Sequence, residues 1–174
     1  LYAHWVANSY KVVFNKGNWT SVTAVPDAQE FRYDTAQTLN KMNGTVIGHT
    51  FIGWATTIDG AKVYNDGASV NNLSKGVDPS IAYDDARMAI VNLYPVFKAN
   101  EYDLRVETTI GSFEATTGWT IDGKTATKKV TFGTAFGTLV TANDAAGYDF
   151  VGFYTVNYDP YTTPVAANKV DDTT

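Results

Sequence analysis

Gly48-His49-Thr50-Phe51-Ile52-Gly53-Trp54 returns 99 residues later as Gly147-Tyr148-Asp149-Phe150-Val151-Gly152-Phe153. Both glycines, the central Phe and the closing large aromatic keep their places, so the chain carries an internal repeat, the feature to look for before any other. Working outward, Tyr33-Asp34-Thr35-Ala36 aligns with Phe132-Gly133-Thr134-Ala135 at the same offset of 99. Further back, Leu1-Tyr2-Ala3-His4-Trp5-Val6-Ala7-Asn8-Ser9-Tyr10 aligns with Leu93-Tyr94-Pro95-Val96-Phe97-Lys98-Ala99-Asn100-Glu101-Tyr102 at an offset of 92. The step from 92 to 99 places seven extra residues in the second copy, between Tyr102 and Phe132, around Thr108 to Lys124. Gly and Thr crowd there, as in a surface loop that varies between copies. The expected organisation is a leading segment, residues 1–8, matching the closing strand of a module; a first module, residues 9–100; and a second, residues 101–174, without a closing Leu-Tyr-x-x-aromatic strand of its own.

Composition leans the same way. Aromatic residues make up 14% of the 174-residue chain, with 11 Tyr, and Thr and Val are plentiful. These types suit a pleated, half-buried surface. Hydrophobic residues at 44% are enough to fill a core. The net charge of −5 and the pI near 4.8 repel phosphate backbones, so nucleic acid is not an expected partner. No run reaches the roughly 18 apolar residues of a membrane span. The chain has no Cys, which excludes disulfides and thiolate metal sites.

Strands are expected at Tyr10–Asn15, Phe31–Tyr33, His49–Ala55 and Ile90–Phe97, with Pro95 drawing the last toward an edge or a bulge. Leu39 and Met42 stand at helical spacing after Thr35, and Gly44 follows, so a short helix is expected over Ala36–Met42. A helical turn is expected within Pro79–Met88. Ile58-Asp59-Gly60-Ala61 reads as a tight turn, with Gly60 supplying a positive φ. The second copy repeats the plan at Tyr102–Glu107, Lys129–Phe132, Phe136–Ala142 and Tyr148–Tyr154. Phe51 and Trp54, with Ile47 or Ile52, are the expected core of the first module, closed by Leu93, Tyr94 and Phe97. The fold class is therefore mainly β with a short helix per repeat, an α+β plan in tandem modules.

Taken together, Tyr10-x-Val12-x-Phe14, the Tyr33–Leu39 segment (Tyr-x-Thr-Ala-x-x-Leu), Gly48-x-x-Phe51-x-Gly53-Trp54, the Asp59-Gly60 turn and Leu93-Tyr94-x-x-Phe97 resemble the Listeria–Bacteroides repeat family of internalin-type surface proteins. The likeness spans most of the chain and departs from the family where Lys16-Gly17-Asn18 replaces a Gly-Gly. It implies a small β-grasp-like module on an extracellular cell-surface protein, used as spacer or adhesin. It carries over no catalytic or cofactor residue.

The residues offer little site chemistry. His4 and His49 share no motif and have no spaced carboxylate, so no metal site is assigned. There is no Gly-x-Ser-x-Gly elbow and no phosphate loop. The acidic pairs Asp84-Asp85 and Asp171-Asp172 lack the alternating pattern of an EF-hand and read as solvated loops. Sequons stand at Asn18, Asn43 and Asn72, in loops, as candidate glycosylation sites. Trp19 and Trp119, in matching loops, are the only support for a carbohydrate-binding module.

Three functions follow as expectations, none of them enzymatic and none with a cofactor. The first is an extracellular, cell-surface adhesin or spacer, whose partners are neighbouring repeats or a host or cell-surface protein or glycan. The second is a filament subunit whose leading strand, Leu1, Tyr2, Ala3, His4 and Trp5, completes the second module of another copy. The third is the carbohydrate-binding module.

Overall fold

The computed structural model describes residues 1–75, 88–158 and 160–174. Asp84-Asp85 and most of the Pro79–Met88 turn lie outside them. The protein is mainly β and divides into two compact units, Leu1–Lys98 and Ala99–Thr174.

The first unit begins with β1 (Ser9–Phe14), β2 (Gln29–Arg32), β3 (Gln37–Thr38) and β4 (His49–Ala55), and continues with β5 (Ser69–Val70) and β6 (Ala89–Ala99). Four strands form one sheet in the order β2-β1-β6-β4. β1 runs antiparallel to β2, with Tyr10 opposite Phe31, and parallel to β6, with Phe14 opposite Leu93. The alternation of Ser-Tyr-Lys-Val-Val-Phe decides which face is buried. Tyr10, Val12 and Phe14 point inward, where Phe31, Leu39, Trp54, Val70, Val91 and Leu93 complete the core. Large rings dominate it: Tyr10 stacks on Phe31 at 5.5 Å, and Phe14 and Phe51 lie 4.7 and 5.0 Å from Trp54. The Trp54 indole N–H is buried with no partner among the described residues. Ile47 and Ile52 are exposed, so Phe51 and Trp54 carry that strand's packing without them.

β6 is an inner strand of the sheet, but Pro95 stands past the part of it that pairs with β1, where that side is locally an edge. The Asn15 N–H donates to the Leu93 carbonyl at 2.8 Å, so Leu93 faces β1. Two residues on, Pro95 faces the same way, where β1 has already ended at Phe14. The missing N–H therefore falls where no β1 acceptor remains.

The expected helix over Ala36–Met42 does not form. Gln37 and Thr38 pair with Val70 and Ser69, the Leu39 N–H donates to the Ala68 carbonyl at 2.9 Å, and the Met42 N–H donates to Asp66 Oδ1 at 2.9 Å. Seven residues that include Thr and Asn are too few and too weak to nucleate a helix alone. Partners far along the chain take their backbone donors instead, and Leu39 still reaches the core. Gly44, expected to stop that helix, lies against the Ala24 backbone, with no room for a Cβ. At the Ile58–Ala61 turn the positive φ belongs to Asp59 rather than Gly60.

The second unit contains β7 (Glu101–Glu107), β8 (Ser112–Phe113), β9 (Thr120–Asp122), β10 (Thr125–Thr131), β11 (Ala142–Asn143) and β12 (Phe153–Tyr154). A 3-10 turn at Ala166–Asn168 precedes β13 (Lys169–Val170) and is the only helical piece among the described residues. Its sheets are β7-β10-β9, β11-β8 and β12-β13. Phe136–Ala142 forms no helix, and of Tyr148–Tyr154 only the last two residues are strand. The extra residues of the second copy are structured: they supply β9, which pairs with β10 across the Gly123 turn, Thr125 opposite Asp122.

Candidate functional site

The two units share their hairpin register residue for residue. β1 pairs Ser9, Tyr10, Lys11 and Val12 with Arg32, Phe31, Glu30 and Gln29. β7 pairs Glu101, Tyr102, Asp103 and Leu104 with Thr131, Val130, Lys129 and Lys128, the same partners shifted by 92 and 99. The likeness extends past the strands. The Tyr33 N–H donates to the Asn8 carbonyl at 2.9 Å, and the Phe132 N–H to the Asn100 carbonyl at 2.8 Å. Isolated bridges join Val46 to His49 and Ala145 to Tyr148. Gly53 and Gly152 take φ of 144° and 139°. Even β4's pairing has its counterpart: Trp54 is bridged to Tyr64, and Phe153 to Val170.

The units differ in what covers the hairpin. In the first, β6 lies between β1 and β4, and its inward residues Val91, Leu93, Pro95 and Phe97 are buried. Phe97 packs 5.0 Å from Trp19 and 5.5 Å from Phe51. In the second, β7 is the end of its sheet, and among the described residues no strand lies on the side away from β10. Tyr102 is 48% exposed where Tyr10 is 1%, and Leu104, Val106 and Phe153 are only half-buried where Val12, Phe14 and Trp54 are buried. Phe150 and Val151 are exposed. A shallow cavity of about 300 Å³, lined by Tyr102, Leu104, Val130, Phe132 and Phe136, opens on this face. A second, of about 460 Å³, lies over Leu139, Phe150, Val151 and Phe153. Charges sit beside the apolar face: Lys129 Nζ is 2.7 Å from Asp103 Oδ1, whose hydrogen bond raises the lysine's pKa, and Arg105 pairs with Glu107.

Leu1, Tyr2, Ala3, His4 and Trp5 form no strand and are exposed, Trp5 by 88%. They repeat the sequence of β6 from Leu93 onward without its surroundings. The uncovered residues Tyr102, Leu104, Val106, Phe150 and Phe153 received no role in the sequence reading. Their signal was there: each aligns with a first-unit residue packed in or against that unit's core.

The remaining candidates are dispersed. Asn18 is exposed, and its Nδ2 donates to Asp59. Asn43 is exposed. Asn72 is half-buried at φ 55°, its Nδ2 donating to Asp34 Oδ1 at 2.7 Å and its Oδ1 accepting from the Asp34 N–H at 2.6 Å. A glycan on Asn72 would break that reciprocal pair. Trp19 and Trp119 are not exposed platforms. Trp19 is half-buried against His49 and Phe97, while Trp119 donates its indole N–H to the Thr138 carbonyl at 3.0 Å beneath Lys128. Asp171 accepts from the Thr173 hydroxyl at 2.6 Å and N–H at 2.9 Å, and the hydroxyl bond is the main cause of its lowered pKa. That carboxylate is engaged within its own turn. Among the described residues no three His or acidic side chains cluster as metal ligands.

No family model, curated protein or solved structure matches the chain.

Proposed function

We propose that the chain is a non-enzymatic repeat protein of the extracellular cell surface, a spacer and adhesive element built from two β modules like those of the Listeria–Bacteroides repeats. The observation that carries this reading is the common hairpin register of the two units. What repeats is architecture: Tyr10, Phe31, Trp54 and Gly53 all serve packing or backbone geometry, and a chain that reuses such positions is selected for a module rather than for one reactive centre. The first unit's order, a central parallel pair flanked by β2 and β4, supports a β-grasp-like plan for the module.

Location is the part of this reading most open to test. Antibodies raised against the chain should label intact source cells at their surface. Labelling that requires permeabilised cells overturns the proposal.

A further inference from the structure

We propose that the first unit is a force-bearing element, with the parallel pair of β1 and β6 as its mechanical clamp. β1 is the first strand of the unit and β6 the last, and they lie side by side in the sheet. They run parallel, with Tyr10 opposite Ala89 at one end of the ladder and Phe14 opposite Leu93 at the other. Tension along the chain reaches the unit at Ser9, the start of β1, and leaves it at the end of β6. In a parallel pair, the start of one strand and the end of the other lie at opposite ends of the ladder. Pulling there slides the strands past each other, so every bond between them carries the load at once. In an antiparallel pair the same pull parts the strands from one end, one bond at a time.

The surroundings of the ladder suit that load. On one face lie Tyr10, Val12, Phe14, Val91 and Leu93, all buried. They keep water from replacing a stretched bond, and in such a low-dielectric setting each bond is stronger. On the other face Lys11, Val13 and Ile90 are half-buried. Past the ladder, the Asn15 N–H donates to the Leu93 carbonyl at 2.8 Å and Asn15 Nδ2 to Asn92 Oδ1 at 2.9 Å. Both bonds join the same two strands, at the end away from Ser9. β2 and β4 flank the pair, so neither strand of the clamp is an outer strand of the sheet. Only Asn100 separates β6 from β7, so tension leaving the clamp passes straight into the first strand of the second unit, not into a slack linker. This goes beyond the surface-repeat reading, because the clamp follows from strand order and direction wherever the protein resides.

The chain has no Cys, so thiol handles can be placed where the pull is wanted. Asn8→Cys with Lys98→Cys pulls along the strands, from opposite ends of the ladder. Asn8→Cys with Ala89→Cys pulls on the same ladder from one end, across the strands. Asn8 and Lys98 are exposed and Ala89 is half-buried, so handles can be attached without opening the core. Forced unfolding reads the rate of opening rather than equilibrium stability, and single-molecule pulling should give a rupture force at least about threefold higher along the strands than across them. A force along the strands no higher than across them overturns the proposal. Asn15→Ala removes the side-chain bond to Asn92 at the far end of the ladder. It should lower the force along the strands and leave the force across them unchanged, since a pull from the Ser9 end reaches that bond last. Equal losses in the two directions overturn the proposal as well. Either failure leaves the surface-repeat reading standing, since cell labelling tests that separately.

Discussion

The first and second units begin with the same hairpin in the same register, yet one has a core and the other mainly a surface. Tyr10 and Tyr102 occupy equivalent places, opposite Phe31 and Val130, and differ from 1% to 48% exposure. Among the described residues, the buried cluster around Tyr10 has nine members and that of the second unit three, Phe113, Ala126 and Val140. The hairpin cannot explain the gap. The difference lies in β6, which adds a hydrogen-bonded neighbour to β1 and sets Val91, Leu93 and Phe97 over it. An alternating strand specifies a face to be buried, and a non-local partner decides whether burial happens.

The sharpest way to break this comparison is to weaken β6 itself. Leu93 is wholly buried, whereas Leu1, its repeat counterpart, is fully exposed. Leu93→Ala should cost about 2–5 kcal/mol, the range for deleting a buried leucine. Leu1→Ala should change stability by less than about 0.5 kcal/mol. Urea unfolding at low protein concentration reads both. A Leu93→Ala cost under about 1 kcal/mol would mean that β6 is not what separates the two units.

A smaller effect separates what the units share from what they do not. Gly53 and Gly152 both hold strongly positive φ, so alanine is strained at either. The surroundings differ. A Cβ on Gly53 would lie 2.3 Å from the Tyr64 carbonyl oxygen, part of the backbone, while on Gly152 its nearest neighbour is Lys169 Cε at 2.9 Å, the end of a flexible side chain. Gly53→Ala should cost about 2–3 kcal/mol and Gly152→Ala about 1 kcal/mol. Equal losses in thermal unfolding would show that backbone strain alone sets both.

How far the sequence reveals this follows from the range of each interaction. β1, β4 and β7 were legible because Tyr10-x-Val12-x-Phe14 and its copy carry their period locally. The Ala36–Met42 stretch was not: Leu39 and Met42 mimic helical spacing, but Asp66, Ala68 and Val70, some thirty residues on, draw the segment into extended pairing. The seven added residues looked like a loop because Gly and Thr mark turns, yet Thr120–Asp122 folds back on β10. The uncovered residues of the second unit, Tyr102, Leu104, Val106 and Phe153, were not legible, since naming them requires knowing which face of the first hairpin β6 covers.

The smallest effect is expected at Tyr10, and it tests burial directly. Burial is the main cause that raises the Tyr10 phenol above its ordinary value of 10.0, partly offset by the Leu73 N–H that donates to its oxygen. A raised pKa means that the folded chain holds this proton more tightly than the unfolded one. The stability it contributes is therefore complete below pH 10 and is lost as pH climbs through the folded value. Unfolding measured from pH 8 to 11 should show stability declining at the alkaline end, and Tyr10→Phe should flatten part of that decline. If Tyr10→Phe and the unsubstituted chain lose stability in parallel, other tyrosines carry the alkaline response, and the shelter that β6 gives the first hairpin does not extend to the Tyr10 hydroxyl.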